Sequence, residues 1–198
     1  MSQSPSSFTE AIYQLLGHFA AELTARGAPE HSVKAFIFGG CAVHLHVASR
    51  VSSDLDLDVT TAVLPRRALE EAKQATEYVL VQKSEGDEPD LLELDLTYSS
   101  ALGPLHEDFD TRATLVEQAA GSPLVVLLPT PEDLALSKLG RLSEADIADI
   151  LTLMQTPGAS WDLLGQLTQE AAKYYPAPAG DLTSKLAYVI NRRRESVK

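Results

Sequence analysis

Between Asp54 and Val59 the chain alternates without a break: Asp, Leu, Asp, Leu, Asp, Val. In an extended strand successive side chains point to opposite faces, so Asp54, Asp56 and Asp58 share one face and the apolar residues the other. Aspartate is a poor strand former, and like charges on one face repel. A divalent cation removes that repulsion. Magnesium takes carboxylate oxygens while keeping water and substrate phosphates as its other ligands. Two such ions side by side can activate an attacking hydroxyl and stabilise a leaving pyrophosphate. The same strand also reads as a solvent-facing edge that uses charge against aggregation. Upstream, Ala35-Phe36-Ile37-Phe38 runs into Gly39-Gly40 and then into residues suited to a helix. A strand entering two glycines and a helix offers backbone amides at a positive dipole end, which suits a triphosphate. Gly-Gly alone serves any tight turn. Its order before the carboxylate strand favours the metal-and-phosphate reading.

The elements that must position these residues are legible from period and caps. Ser7-Phe8-Thr9-Glu10 has the spacing of a capping box, and Ile12, Leu15, Leu16, Phe19 and Leu23 follow at helical period until Gly27 and Pro29. A strand over 35–38, a helix over 41–49 and a strand over 54–59 come next, then a helix over 65–75 with Pro65 as its first residue. Tyr78–Gln82 and Leu91–Tyr98 read as strands joined by the acidic turn Ser84-Glu85-Gly86-Asp87-Glu88-Pro89, and Leu124–Leu128 as another buried strand. Thr130 then caps a helix through Leu139 and Ser143 caps a second to about Met154. Two further helical stretches, near 161–173 and 181–193, flank the turn-rich segment 175–180. The fold class is therefore α+β (α/β), with a first part at 1–129 and a C-terminal helical region at 130–198.

Phe38-Gly39-Gly40-Cys41 followed by Arg50-Val51-Ser52-Ser53-Asp54-Leu55-Asp56-Leu57 resembles the pattern of the nucleotidyltransferase superfamily, which has the DNA polymerase beta-like fold. That pattern is a hydrophobic residue, Gly-Gly or Gly-Ser, a short helix, often Arg-x-Ser/Thr-x, then Asp-x-Asp. The resemblance implies a mixed sheet flanked by helices, with Asp54 and Asp56 binding one or two magnesium ions. It implies a third metal-binding carboxylate from a neighbouring strand, matched by Asp95 in Glu93-Leu94-Asp95-Leu96-Thr97, with Glu93 on the same face as the alternative. Gly39, Gly40, Cys41, Arg50 and Ser53 would then surround the phosphates of a nucleoside triphosphate donor. Cys41 stands where many members carry serine. Further on, Thr130-Pro131-Glu132-Asp133-Leu134 through Lys138-Leu139, then Arg141 and Asp146 to Asp149, is similar to a helical segment of bacterial nucleotidyltransferases related to AbiE-type abortive-infection toxins. In those proteins the lysine is placed to contact nucleotide phosphates, which carries that role to Lys138. The resemblance spans about residues 35 to 150, and the stretch between Lys138 and Asp146 is shorter and less basic than a typical toxin's.

Other residues carry less. Asp58 suits the water-facing end of its strand, and Arg50 suits either a phosphate or a nearby aspartate. Cys41 lacks a marked base partner, so a small buried residue fits better than a nucleophile. His44 and His46 stand two apart on a helix and face different directions, a poor spacing for one zinc ion. Arg192-Arg193-Arg194 complements a helix C-terminal dipole or touches phosphate.

The formal net charge of -12 argues against generic nucleic-acid binding and fits a cationic small substrate or a basic partner protein. No apolar run is long enough for a membrane helix, the N-terminus lacks a signal-peptide pattern, and one cysteine makes no internal disulfide, so a cytoplasmic protein is expected. The expected function is magnesium-dependent transfer of a nucleoside monophosphate from an NTP to a hydroxyl of a tRNA end, a protein or a small molecule, in a toxin–antitoxin or phage-defence setting. The competing expectation is an inactive member that binds a partner or senses nucleotide.

Overall fold

The structure is a computed structural model and describes residues 7–48, 50–82, 88–100, 103–117, 119–178 and 180–196. The chain forms two compact units. The first comprises Met1–Leu45, Arg50–Tyr98 and Thr114–Leu128, and the second comprises His46–Ser49, Ser99–Ala113 and Pro129–Lys198.

In the first unit the capping box forms as the sequence specifies. Glu10 N donates to Ser7 Oγ at 3.4 Å while Ser7 N donates to Glu10 Oε2 at 3.0 Å, and helix α1 runs Phe8–Ala25. Its periodic residues Ile12, Leu15, Leu16, Phe19 and Leu23 are all buried. Strand β1 (Val33–Ile37) leads into helix α2 (Gly39–Val47), strand β2 (Asp54–Thr61), helix α3 (Arg66–Ala75), and strands β3 (Val79–Val81) and β4 (Asp90–Asp95). After a short helix α4 (Phe109–Arg112), which belongs to the second unit, strands β5 (Thr114–Glu117) and β6 (Leu124–Leu128) complete a six-stranded sheet of order β3-β4-β2-β1-β6-β5. Pairing is mixed: β1 runs antiparallel to β2 and parallel to β6, and β2 runs parallel to β4. The α+β class and the mixed sheet are thus as expected. Leu55 and Leu57 are fully buried, which is the apolar face that the alternation of β2 requires.

Three local differences from the expected elements stand out. Pro65 is the N-cap residue of α3, one position before the helix. The strand expected to reach Tyr98 stops at Asp95, because the Thr97 amide donates to Asp95 Oδ1 at 2.7 Å and is lost to the ladder. Helix α4 and strand β5 have four residues each, too few to show a period. Ser84-Glu85-Gly86-Asp87 of the acidic turn lie outside the described residues.

The second unit contains helices α5 (Pro131–Lys138), α6 (Glu144–Leu153), α7 (Trp161–Ala171) and α8 (Asp181–Ser196). Thr130 and Ser143 cap the first two, each accepting from the amide three residues on. Its buried charges are consumed internally. Asp133 takes a two-pronged contact from Arg112, at 2.7 and 3.0 Å, and Glu132 Oε1 accepts from Ser160 N at the start of α7 at 2.7 Å. Lys138 Nζ donates to Asp149 Oδ2 at 2.7 Å, and Arg141 grips Asp146 at 2.8 and 2.9 Å.

Removing one member of a buried pair leaves the other charge stranded, at about 3–5 kcal/mol. Asp149→Ala is therefore expected to lower the unfolding free energy, read from urea denaturation, towards the lower end of that range, because Asp146 Oδ1 still stands 4.0 Å from Lys138 Nζ. Arg192→Ala, which breaks an exposed contact to Glu144, should cost no more than about 1 kcal/mol. Equal losses would overturn the assignment. Burial alone would raise the Asp146 carboxyl, but Arg141 and Ser143 outweigh it and bring it down to about 2. A depressed folded-state value means stability present above the ordinary carboxylate range and lost as pH falls towards 2. Asp146→Asn should flatten the stability–pH curve in that acid window, read by denaturation at stepped pH.

Candidate active site

At the end of β1, Gly39 lies against Asp56, and Gly40 lies against Arg50 and Ser52. Phe38 N donates to Asp56 O at 2.9 Å, which fixes the entry to α2 against β2. Gly39 adopts φ +64, and a Cβ placed on it would fall on the Asp56 carboxylate. Two requirements therefore coincide there: left-handed backbone and a missing side chain. At Gly40 a Cβ would meet Ser52 Cβ at 2.9 Å and Arg50 Nε at 3.2 Å, so the loop before β2 lies on the first turn of α2. The Arg50 guanidinium, the Ser52 hydroxyl and the amide end of a nine-residue helix thus share one small region. That combination favours an anion.

The carboxylates lie on β2 and β4. Parallel pairing sets Asp56 beside Asp95 and Asp54 beside Glu93. Register partners on parallel strands share a face about 4.8 Å apart at the backbone, so Asp54, Asp56, Glu93 and Asp95 form one acidic face. Ser53 Oγ donates to Asp54 Oδ2 at 3.0 Å. Asp95 is held more firmly: Thr97 N reaches Oδ1 at 2.7 Å, Thr97 Oγ1 reaches Oδ2 at 2.9 Å, and Lys73 Nζ stands 3.8 Å from Oδ1. Burial would raise this carboxyl, but the Thr97 amide and hydroxyl and the Lys73 ammonium together hold it below the ordinary range. Among the described residues no three His, Cys, Asp or Glu side chains converge on one ion position. Magnesium at nucleotide sites needs only one or two carboxylates beside water and phosphate oxygens, and the hard, same-face pair Asp54 and Asp56 fits that donor set.

Cys41 is fully buried, and its thiol donates to Asp54 O at 3.2 Å. Burial, then the Asp56 and Asp54 carboxylates, push that thiol far above its ordinary value, so it is protonated and no nucleophile. It ties α2 to β2 and leaves its backbone amide as its contribution. Lys138, by contrast, belongs to the second unit, where it is buried against Asp149.

Ser52, whose hydroxyl lies against the first turn of α2 where Ser53 was expected, was missed in the sequence, and so were three further contributing residues. His44 Nδ1 donates to Arg50 O at 2.8 Å, and Nε2 pairs with Thr9 Oγ1 at 3.0 Å. The ring also packs edge-on against Phe8 at 4.6 Å. This side chain anchors the Arg50 loop to α1. Thr97, two residues after an aspartate, carries an Asx-turn signal that could have been read. Lys73 sits among the charges of an amphipathic helix, where nothing in the sequence marks it.

Gly39→Ala should cost more than Gly27→Ala. Both glycines have positive φ, but nothing lies within 4 Å of a Cβ at Gly27. The Gly27 variant should lose about 1–2 kcal/mol from backbone strain alone. The Gly39 variant should lose more and also displace Asp56. Chemical denaturation of both checks this, and equal losses would refute the contact with Asp56.

No curated protein matches the chain. Among solved structures, it is similar to the antibiotic-resistance factor ANT(2'')-Ia in solution at 15% identity, covering 95% of this chain and 99% of that one with a TM-score of 0.45. The crystal structure of ANT(2'')-Ia in complex with adenylyl-2''-tobramycin is similar at 17% identity, over 91% of this chain and 97% of that one, with a TM-score of 0.34. A family described as "nucleotidyltransferase of unknown function (DUF6036)" matches residues 16–193, nearly the whole length, and the chain belongs to this nucleotidyltransferase family.

Proposed function

We propose that this enzyme transfers a nucleoside monophosphate from an NTP to a hydroxyl acceptor with magnesium bound at Asp54 and Asp56. The observation that carries the reading is the contact between Gly39 and the Asp56 carboxylate, which joins the helix amide end to the acidic face. When bound, magnesium neutralises the carboxylates and the developing charge on the phosphates. The chain's own part is positioning. The amides of Gly39, Gly40 and Cys41, with Arg50 and Ser53, orient the triphosphate, and Asp95 completes the acidic face beside Asp56. Reaction is then favoured by alignment and fixed electrostatics, with no covalent intermediate. A phosphate contact from Lys138 requires its ammonium to leave Asp149. The core at 1–129 with a helical region at 130–198 belongs to the same reading.

A tRNA end, a protein hydroxyl and a small molecule are all candidate acceptors. The net charge of -12 favours a cationic small molecule or a basic protein over a polyanion. The AbiE-like segment is what supports a toxin–antitoxin or phage-defence setting in the cytoplasm. No helix among the described residues is long and apolar enough to cross a membrane.

The test is incorporation of label from each of the four α-labelled nucleoside triphosphates, with magnesium, into cell extract, tRNA and aminoglycosides. Label should appear in one acceptor class, and Asp56→Asn should reduce it by at least about a hundredfold, the scale of removing one electrostatic stabiliser. Absence of any magnesium-dependent nucleotide binding would sink the reading.

A further inference from the structure

We propose that Lys73 is a built-in counter-ion for the third carboxylate, withholding Asp95 from metal while Asp54 and Asp56 take up a divalent ion. The proposal rests on the reading of Asp54 and Asp56 as metal ligands and adds a residue that regulates how the same site fills.

The geometry points to this in three ways. First, Asp95 is already partly occupied. A carboxylate has about four acceptor positions on its two oxygens. Two hydrogen bonds from Thr97, at 2.7 and 2.9 Å, and the ammonium of Lys73 at 3.8 Å draw on them. About two acceptor positions stay open, and a metal ion that used them would meet the Lys73 ammonium 3.8 Å from Oδ1 as a like charge. Second, Lys73 is directed to that carboxylate by the pairing around it. The neighbouring acids of its own helix are engaged with arginines, Glu70 with Arg66 at 3.8 Å and Glu71 with Arg67 at 2.8 Å. Helix α3 is itself anchored, because Arg26 on the turn after α1 donates to Glu71 O at 2.9 Å. Third, the pair is sheltered. The side chains of Lys73 and Asp95 are 29% and 30% exposed, so solvent screens their attraction less than that of an open surface pair.

The charge consequence is direct. An ammonium beside Asp95 supplies one of the positive charges that the crowded acidic face needs, so it competes with a second cation for the same oxygens. An opposite charge within about 4–6 Å is worth about one to three pKa units to a carboxylate. Competition with a metal for those oxygens is of that order, about tenfold or more.

The experiment is titration of the purified full-length chain with Mn²⁺, without nucleotide, followed by calorimetry and by the electron paramagnetic resonance of free Mn²⁺. Lys73→Met should tighten Mn²⁺ binding by about tenfold or more, and Lys73→Arg should stay near wild type. Adding Asp95→Asn to Lys73→Met should abolish the gain. Unchanged affinity in Lys73→Met, with Mn²⁺ still bound by the wild type, overturns the counter-ion role and leaves the Asp54 and Asp56 reading standing. A gain that survives Asp95→Asn also overturns it. If neither the wild type nor Lys73→Met binds Mn²⁺, the metal reading falls and the counter-ion role falls with it.

Discussion

Carboxylates on neighbouring parallel strands cannot be moved apart without breaking the sheet. Here β2 and β4 pair in parallel with Asp56 beside Asp95. Because the side-chain period is two, a slip of one residue would turn Leu55 and Leu57 outward and the aspartates into the core. The buried leucines therefore hold the acidic face in register, and the surrounding elements are arranged about it. Gly39 makes room for Asp56, the Cys41 thiol ties α2 to the start of β2, and Thr97 pins Asp95 where its strand ends. His44 anchors the loop that carries Arg50.

Much of this was legible in the sequence, because alternation, caps and glycine pairs each have a local physical cause. The strand at Asp54, the capping boxes at Ser7 and Ser143, and the buried run Leu124–Leu128 all follow from short-range pattern. What the sequence hid was pairing over distance. Asp95 was placed on the correct face of a later strand, yet its engagement with Lys73 depends on how α3 packs. Nothing local marks His44 either, because its partners Thr9 and Arg50 lie 35 residues before it and six after it in the chain. Short elements such as α4 and β5 lack the length to declare a period.

The helical motif of the second unit illustrates a different point. Glu132, Asp133, Lys138, Arg141, Asp146 and Asp149 read together as a functional signature, and each is engaged inside the unit. Buried charge of this kind is costly to desolvate, and the pairs offset that cost while fixing which helices meet. A motif can therefore recur for the architecture it specifies, whatever else Lys138 does.

With so many cations engaged by neighbouring acids, the charge that a distant solute meets is dominated by the excess of 28 Asp and Glu over 16 Lys and Arg. Any polyanion diffusing towards this molecule climbs a repulsive potential before it meets a local attraction. Added salt shortens the Debye length and lowers that climb. The encounter rate of an anionic donor consequently rises with ionic strength, whereas that of a cationic acceptor falls. Solutes of opposite charge thus answer the same salt gradient with opposite kinetics.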